Sequence, residues 1–373
     1  MNTKPMNTNM TELRQSPDNV SNASPSLEIS DPAVFAKIPL VSVKMMTYNH
    51  EPYITQAIEG VLQQKTSFPI ELVIGEDCST DRTREIILNF QKKFRSVIRV
   101  ITSEKNVGAR NNSERTRKAC RGKYVAFCEG DDYWQDRHKL KKQVDHLEGH
   151  PECGLVYSSY DVYHCKQNKT IRDFIRYRKW NIIENPKLSD YFGNIRPIGG
   201  NRVGILTCTV IVRKNLYDQI VESDPYLYND EHFLMGDIQL WAEFINLASV
   251  HYIPESMSTY RVTEESATRS KDMEKVARFK VSVPEIMIYL CKKYNLPSDI
   301  RLRFEENRNS SLLNLAFHTM NEELAEELMK TKDRWSYLEL LKYYSIKNIL
   351  LYKIFYTAWK CKNLFPKKYR DWW

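Results

Sequence analysis

The feature that most constrains the fold is an alternation, within residues 40–128, of short apolar runs and segments with helical spacing. The apolar runs cover residues 40–46, 70–74, 97–101 and 124–128. The segment after the first run begins at Pro52, a residue that is favourable in the first turn of a helix. Strands and helices that alternate at this spacing predict an α/β fold with a mostly parallel sheet and right-handed crossovers.

Polar side chains follow three of these runs, at the point where each predicted strand ends. The clusters are Thr47-Tyr48-Asn49, Glu76 to Asp81, and Glu129-Gly130-Asp131-Asp132. Because ligands bind outside the carboxyl ends of parallel strands, we expect the three clusters to line one crevice. Three carboxylates close together favour a magnesium or manganese ion that bridges a pyrophosphate. An acidic turn after a strand is also common, so the last cluster alone leaves both interpretations open.

Several short motifs occur together in a fixed order. They are Thr47-Tyr48-Asn49, Asp77-Cys78-Ser79-Thr80-Asp81, Asn106-Val107-Gly108, Gly122-Lys123-Tyr124 and Glu129-Gly130-Asp131-Asp132. In order and spacing the set resembles the family 2 glycosyltransferases over residues 39–160, and a weaker similarity recurs at Gly236-Asp237 and Tyr260-Arg261. The resemblance implies the GT-A fold, a Rossmann-like and mostly parallel sheet flanked by helices. It also implies a nucleotide-diphosphate sugar donor, a divalent metal (Mn²⁺ or Mg²⁺) and inversion at the anomeric carbon.

The resemblance assigns a group of residues to the binding of the nucleotide sugar. They are Thr47, Tyr48, Asn49, Glu51, Asp77, Arg110, Glu129 and Gly130. Tyr48 is suited to stacking on the base, and Asp77 resembles the aspartate that accepts a hydrogen bond from it. Asn49 is equally suited to capping a helix, and the alternative for Asp77 is a turn carboxylate at a helix N-terminus. Arg110 stands where the family often places a base or phosphate contact, although the surrounding residues depart from the commoner pattern.

The metal site is expected at the end of the acidic cluster. Asp131 occupies the last position of the family's Asp-X-Asp motif and is the expected direct ligand, while Asp132 either orients it or ligates in its place. Glu129 replaces the usual first aspartate. Many relatives have a histidine after the Tyr-Arg pair, but residues 262–266 contain none, so carboxylates, phosphates and water hold the metal alone or hold it weakly. Arg261 either steadies the diphosphate or is a solvated arginine.

Inverting transfer needs a base that takes the proton from the attacking hydroxyl group. The resemblance places this base at Asp237, which follows Gly236 at a predicted helix start. From the residues alone, an aspartate that only caps the helix is the preferred alternative. Glu231, together with His232, is the second candidate for the base.

Composition bounds the remaining possibilities. A chain of 373 residues accommodates one catalytic domain and an appendage. Residues 1–35 are rich in Asn, Ser, Thr and Pro, which predicts a disordered arm without the apolar region of a secretory signal. The sequence has no apolar stretch long enough to cross a bilayer. The eight cysteines lack Cys-X-X-Cys spacing, which favours reduced thiols and a cytoplasmic protein.

We predict a disordered arm at residues 1–35, a GT-A domain at 36–271 and a helical C-terminal extension at 272–373. Residues 166–202 form a basic, aromatic insertion that helps to build the acceptor pocket, with a solvated helix face as an equal alternative. Residues 206–213 resemble a buried strand. Residues 343–373 mix lysines with aromatic residues, which suits peripheral contact with an anionic membrane, while packing on the catalytic domain is the alternative.

These features together predict an inverting transferase that moves a sugar, most simply from a UDP-sugar, to a hydroxyl of a glycan or lipid-linked acceptor. The expected setting is cell-surface polysaccharide assembly, in the cytoplasm at the inner face of the membrane. A non-catalytic relative that binds sugar nucleotides is the main alternative. A nucleotidyltransferase that makes a sugar nucleotide is a less favoured alternative, because it would need a glycine-rich basic loop after the first strand and residues 47–51 contain none. An acidic crevice argues against nucleic acid as a partner, since carboxylates repel the phosphate backbone.

Overall fold

The structure, a computed structural model, describes residues 26–193, 200–230, 232–263, 272–331 and 335–360. The strands are β1 (Leu27–Ile29), β2 (Val41–Thr47), β3 (Ile70–Glu76), β4 (Ile98–Thr102), β5 (Tyr124–Phe127), β6 (Tyr133–Trp134), β7 (Cys153–His164), β8 (Lys169–Ile171), β9 (Trp180–Ile182), β10 (Gly200–Arg202), β11 (Ile211–Arg213) and β12 (Ser249–Val262). The helices are α1 (Ile54–Leu62), α2 (Thr83–Lys93), α3 (Gly108–Ala119), α4 (Lys139–Gly149), α5 (Phe174–Tyr177), α6 (Leu188–Gly193), α7 (Lys214–Ser223), α8 (Pro225–Asn229), α9 (Ile238–Leu247), α10 (Met273–Lys293), α11 (Ser298–Thr319), α12 (Glu322–Met329), α13 (Tyr337–Lys347) and α14 (Ile349–Lys360).

One large sheet organises the chain. Its order is β1-β4-β3-β2-β5-β11-β7-β12-β6, and β8 pairs with β7 outside this path. Strands β4, β3, β2 and β5 are mutually parallel, as are β7 and β12, while β11 runs antiparallel to both of its neighbours. The predicted α/β class with a mostly parallel sheet is confirmed.

The sheet is buried on both faces because its strands alternate their side chains between two layers. In β5, Val125 and Phe127 face a core shared with α7, α9 and α10. Tyr124 and Ala126 face the opposite core, which contains the apolar sides of α1 and α4. The apolar spacing of α1 and α4 agrees with the sequence pattern, although α1 begins at Ile54, two residues after Pro52. Both helices lie where crossover helices are expected.

The arm differs from the expectation for its last ten residues. Residues 27–36 form β1 and a short 3₁₀ turn, and β1 pairs antiparallel with the outer edge of β4. Glu28 forms an ion pair with the buried Arg99 (Oε1–Nε 2.7 Å), and Val34 is buried. The expected disorder is therefore wrong for residues 27–35, because a charge partner and an open sheet edge hold this short segment. Residues 1–25 lie outside the described part of the chain.

Two other segments are less regular than expected. Only Ile211–Arg213 of the predicted strand at 206–213 pairs in the sheet, because Thr207–Thr209 form a 3₁₀ turn. The predicted insertion at 166–202 consists of the short elements β8, α5, β9, α6 and β10, with residues 194–199 outside the described range. Its aromatic side chains pack around Tyr160, Val162 and Ile175.

The C-terminal helices form two groups. Side chains of α10 and α11, including Ile286 and Phe304, join the core on the sheet. The later part of α11 forms a separate small core with α12, α13 and α14 around Leu313 and Phe317. The predicted helical extension is thus found within the described residues, and none of the helices seen there is long and apolar enough to cross a membrane.

Candidate active site

The three polar clusters meet at the carboxyl ends of adjacent strands. Because β3, β2 and β5 are neighbours, the loops that follow them are side by side. The Gly130 N–H donates to the Met46 carbonyl (2.8 Å), and the Asp77 N–H donates to the Thr47 carbonyl (3.1 Å). The convergence expected from the sequence is therefore present.

Asn49 and Glu51 join the first two loops to each other. The Asn49 amide oxygen accepts from the Thr80 N–H (2.8 Å), and Glu51 Oε2 accepts from the Arg82 N–H (3.1 Å). Asn49 does not cap α1, which has Tyr53 at its N-cap, so that alternative is wrong. These contacts give both residues a bracing role, while the Tyr48 side chain remains 43% exposed and accessible to a ligand.

Asp77 fixes the start of α3. Its two carboxylate oxygens accept from the N–H groups of Val107 (2.8 Å) and Gly108 (3.0 Å). Arg115, which the sequence argument missed, lies 3.6 Å from Asp77 Oδ1 and donates to the Glu76 carbonyl (2.8 Å). Asp77 is thus a carboxylate at a helix N-terminus, as the alternative predicted, and the helix is α3. Each of its oxygens still has a lone pair that could accept a hydrogen bond from a nucleobase.

Arg110 contacts the segment that precedes α9. Its guanidinium donates to the carbonyls of Tyr228 (2.6 Å) and Phe233. These carbonyls belong to the segment that leads to Asp237. In this arrangement Arg110 connects α3 to that segment, which differs from the expected base or phosphate contact.

The carboxylates of the acidic loop have different surroundings. Glu129 Oε2 is buried with no partner among the described residues, and burial together with the charges of Asp131 and Asp237 raises the pKa of Glu129 to about 7. The Asp131 carboxylate has no hydrogen-bond partner within the described ranges. Its backbone oxygen accepts from Arg261 Nη1 (2.6 Å), which fixes the loop while leaving the side chain available.

Asp132 is committed to the protein. Its Oδ1 accepts from the Arg261 N–H (2.8 Å), and its side chain also bonds with the Cys208 thiol. Burial, followed by the charges of Asp131 and Glu129, raises the pKa of Asp132 well above its usual range. Of the two roles left open for Asp132, these contacts favour orienting the loop over binding metal.

Arg261 is a buried part of the site. It is 5% exposed, its guanidinium stacks on the Tyr133 ring (4.5 Å to the centroid), and Nη2 donates to Gln56. The alternative of a solvated arginine is therefore wrong. Its backbone and side chain together hold the loop that carries Asp131.

Gly130 is packed too closely for a side chain. A Cβ atom there would lie 2.7 Å from Thr47 Oγ1 and 2.8 Å from His50 Nδ1. Both of these atoms are buried without a described partner, as is Glu129 Oε2. His50 was not among the predicted site residues, and the signal available was its position directly after the Thr-Tyr-Asn cluster.

The residues present fit a divalent cation that is shared with a ligand. The described ranges contain no group of three His, Cys, Asp or Glu side chains that could hold a metal on their own. Magnesium is usually bound by one or two carboxylates together with substrate phosphates and water. The available Asp131 carboxylate and the unpartnered Thr47 and Glu129 oxygens suit such a shared site.

Asp237 lies across from this loop at the start of α9. It is the N-cap residue, with Oδ1 accepting from the Ile238 N–H (2.8 Å) and Oδ2 accepting from the Thr207 hydroxyl (3.0 Å). Burial raises the pKa of Asp237. Asp237 therefore caps α9, as the alternative predicted, and it also lies close enough to Glu129 for its charge to act on that residue. Thr207 was missed because it lies 30 residues away in sequence.

Of the second candidate for the base, the structure describes only His232. Glu231 lies outside the described residues. His232 pairs with Glu285 of α10 (Nε2–Oε2 2.8 Å), on the helical side of the segment.

A buried lysine supports the turn after the acidic loop. Lys139 at the start of α4 donates to Gln143 Oε1 (2.8 Å) and lies over the Trp134 ring (4.3 Å). Burial lowers the pKa of Lys139 to about 7. The Lys139 side chain is therefore a neutral amine in the folded protein over part of the pH range in which it is a charged ammonium group in the unfolded chain.

We expect Lys139→Met to change how stability depends on pH. Between pH 7 and about 10 the unfolded wild type binds more protons at this site than the folded protein, so this site makes stability rise with pH. The variant lacks this contribution, so its free energy of unfolding relative to wild type falls by up to about 1.4 kcal/mol per pH unit across that window. Urea unfolding at several pH values measures the difference.

Loss of the hydrogen bond to Gln143 also changes the free energy of unfolding of the variant, but by an amount that does not depend on pH. Lys141→Met, on the exposed side of the same helix, is the control and is expected to show no such trend. A constant difference between wild type and Lys139→Met would mean that Lys139 stays charged in the fold.

The family is shown by comparison with known proteins. Residues 42–218 match the model of glycosyl transferase family 2, and this part of the chain is a glycosyltransferase domain of that family. Over 117 residues the chain is 43% identical to the uncharacterized protein Rv1520 of Mycobacterium tuberculosis, a match covering 31% of this chain and 34% of that protein. The match thus spans only a third of the length of that relative.

Other relatives have more specific names. The chain is 36% identical over 125 residues to the putative teichuronic acid biosynthesis glycosyltransferase TuaG of Bacillus subtilis, covering 33% of this chain and 48% of TuaG. It is 27% identical over 235 residues to the UDP-Glc:alpha-D-GlcNAc-diphosphoundecaprenol beta-1,3-glucosyltransferase WfgD of Escherichia coli. This match covers 63% of this chain and 82% of WfgD. Among solved structures, the mannosyltransferase PcManGT of Pyrobaculum calidifontis in complex with GDP-Man and Mn²⁺ aligns with a TM-score of 0.49 and 14% identity. The alignment covers 92% of this chain and 85% of PcManGT.

Proposed function

We propose that the protein transfers a sugar, with inversion, from a nucleotide-diphosphate sugar to a hydroxyl group of a glycan or lipid-linked acceptor. The observation that carries this proposal is the pairing of two unlike carboxylate sites in one crevice. Asp131 presents a carboxylate without described protein partners, while Asp237 presents one that is oriented by hydrogen bonds. The charges of both act on Glu129.

The donor would bind along the first three loops. Tyr48 is exposed for stacking on the base, and Asp77 has lone pairs left to accept from it. Asp131 would hold Mn²⁺ or Mg²⁺ together with the donor's phosphates, with the oxygens of Thr47 and Glu129 nearby. When bound, the cation neutralises the charge that develops on the leaving diphosphate.

Asp237 would accept the proton from the attacking hydroxyl. Its raised pKa makes its carboxylate a stronger base than an exposed aspartate, and the Thr207 hydroxyl and Ile238 N–H fix its direction. An acceptor oxygen would have to approach from the side opposite the departing diphosphate, as inversion requires.

The relatives support a finer statement of substrate and setting. The name of WfgD includes a UDP-sugar donor and a diphosphoundecaprenol acceptor, and the name of TuaG includes synthesis of teichuronic acid. We therefore propose a UDP-sugar as donor and a glycan or lipid-linked acceptor used in cell-surface polysaccharide assembly. We place the reaction in the cytoplasm, at the inner face of the membrane.

A second candidate is a non-catalytic relative that binds a sugar nucleotide. The observation that favours it is the missing three-ligand metal group among the described residues, together with the lack of histidine at residues 262–266. A weak metal site would retain nucleotide binding but lose transfer. Turnover of the donor distinguishes the two functions.

Calorimetric titration of UDP, GDP, CDP and dTDP, each with and without manganese, tests the proposal. We expect one diphosphate to bind, and to bind tightly only when manganese is present. The matching nucleotide sugar is then incubated with the protein and an acceptor mixture, and release of the diphosphate is measured. Binding without turnover would favour the non-catalytic relative, and no binding of any diphosphate would contradict both functions.

A further inference from the structure

The turn between β2 and α1 holds the backbone of His50 in a fixed place. The His50 N–H donates to the Thr83 hydroxyl (2.8 Å), and the His50 carbonyl accepts from the Tyr53 N–H (2.9 Å). The Tyr53 ring also packs edge-on against the imidazole, with 6.5 Å between the ring centroids. These contacts limit the positions that the imidazole can take.

One nitrogen of this imidazole lies against the acidic loop without a protein partner. His50 Nδ1 is buried and has no hydrogen-bond partner among the described residues, and the same is true of Thr47 Oγ1. A Cβ atom on Gly130 would lie 2.8 Å from Nδ1 and 2.7 Å from Thr47 Oγ1, so both atoms border the middle of the loop. Thr47 is only 3% exposed. Because a buried polar atom without a partner is costly, these two atoms indicate a ligand that the protein alone does not supply.

Asp131 is the carboxylate that acts most on the His50 ring. Its negative charge acts on the imidazole more strongly than that of Asp81. The positive charge of Arg261 acts in the opposite sense, but its guanidinium is committed to the Asp131 carbonyl and to Gln56. An available carboxylate and an available ring nitrogen therefore lie near each other at the carboxyl end of β2.

We propose that His50 Nδ1 is a direct ligand of the divalent cation, together with the Asp131 carboxylate. This inference rests on the proposed function, because the cation is the one that binds with the donor's diphosphate. Imidazole nitrogen is a common ligand of transition metals, whereas magnesium takes oxygen ligands, so the site would prefer Mn²⁺ to Mg²⁺. Two protein ligands leave the other positions to phosphate oxygens and water, which agrees with the lack of a three-ligand group among the described residues.

Pulsed electron paramagnetic resonance of the full-length protein tests this ligand. The sample contains Mn²⁺ and whichever of UDP, GDP, CDP and dTDP binds most tightly. We expect the electron spin echo of Mn²⁺ to be modulated by a directly bound nitrogen. Protein that carries ¹⁵N-labelled histidine should show the modulation of the heavier isotope instead, which assigns the nitrogen to histidine and not to the nucleobase. In His50→Asn we expect the histidine modulation to be lost.

Metal affinities in the same variant test the expected preference for manganese. Asparagine offers an amide oxygen in place of the ring nitrogen, and magnesium accepts oxygen readily. With the diphosphate present, we expect His50→Asn to bind Mn²⁺ more weakly by about tenfold or more. Its affinity for Mg²⁺, measured by competition with Mn²⁺, should change by about threefold or less. His138→Asn replaces an exposed histidine that follows the acidic loop, and this control should match wild type in both modulation and affinity.

The outcomes separate this inference from the proposed function. Tight manganese-dependent binding of a diphosphate without histidine modulation would overturn the ligand role of His50 and leave the proposed function intact. A loss of metal-free affinity for the diphosphate in His50→Asn would assign Nδ1 to an oxygen of the donor, which also overturns the ligand role. If no diphosphate binds with manganese, both the inference and the proposed function fail. The labelled wild-type spectrum decides the question even if His50→Asn does not fold.

Discussion

Replacing Asp237 with asparagine is expected to lower the rate of sugar transfer by about 10²–10⁴-fold while leaving the affinity for the donor diphosphate unchanged. Asparagine is a good N-cap residue, so its amide oxygen can still accept from the Ile238 N–H, while its NH2 group can donate to the Thr207 hydroxyl oxygen. The substitution therefore removes the proton acceptor but preserves the start of α9. Steady-state kinetics give the rate, and calorimetry with the diphosphate gives the affinity.

Asp224→Asn is the matched control for this experiment. Asp224 also caps a helix, accepting from the Leu227 N–H (3.0 Å), and it pairs with Lys293 away from the crevice. We expect this variant to lose stability but to keep its rate of transfer. If Asp237→Asn retained more than about a tenth of wild-type activity, the general base would have to lie elsewhere.

The second large effect is expected at Asp131. Asp131→Asn should weaken the manganese-dependent binding of the diphosphate by about a hundredfold or more, because a direct ligand contributes at least as much as the residues that orient it. Asp132→Asn should weaken the same binding by about tenfold or less. Its amide oxygen can still accept from the Arg261 N–H, and burial already disfavours a charge at this position.

Manganese affinity measured by electron paramagnetic resonance, with the diphosphate present, distinguishes these two aspartates without relying on turnover. The affinity for the diphosphate in the absence of metal serves as the internal reference, and we expect this affinity to be the same in both variants. Equal losses of manganese affinity in the two variants would mean that Asp132 is also a ligand. No loss in Asp131→Asn would remove the metal site from this loop.

The periodic parts of the fold were predictable from the sequence. Strands β2 to β5 and helices α1 and α4 follow from apolar spacing, because burial on two faces requires it locally. Strand β11 is shorter than predicted, since Thr207–Thr209 take a tighter turn that directs the Thr207 hydroxyl to Asp237. Spacing within one segment carries no information about a partner 30 residues away.

The candidate site shows the same division. The convergence of three loops follows from strand order, and the resemblance placed Asp131 in one of these loops and Asp237 at a separate helix start. The partners of Arg110 were not predictable, because its contacts at Tyr228 and Phe233 join segments that are more than a hundred residues apart. Such contacts depend on the packing of helices against each other, which the periodicity of either segment does not specify.

Strand β1 has a practical consequence for the choice of expression fragments. The match to the family begins at residue 42, so a fragment cut at that boundary would omit β1 entirely. Arg99 would then lose the Glu28 carboxylate, and the backbone of β4 would be left as an open edge able to pair with other chains. A fragment that begins before residue 27 retains both the ion pair and the closed edge.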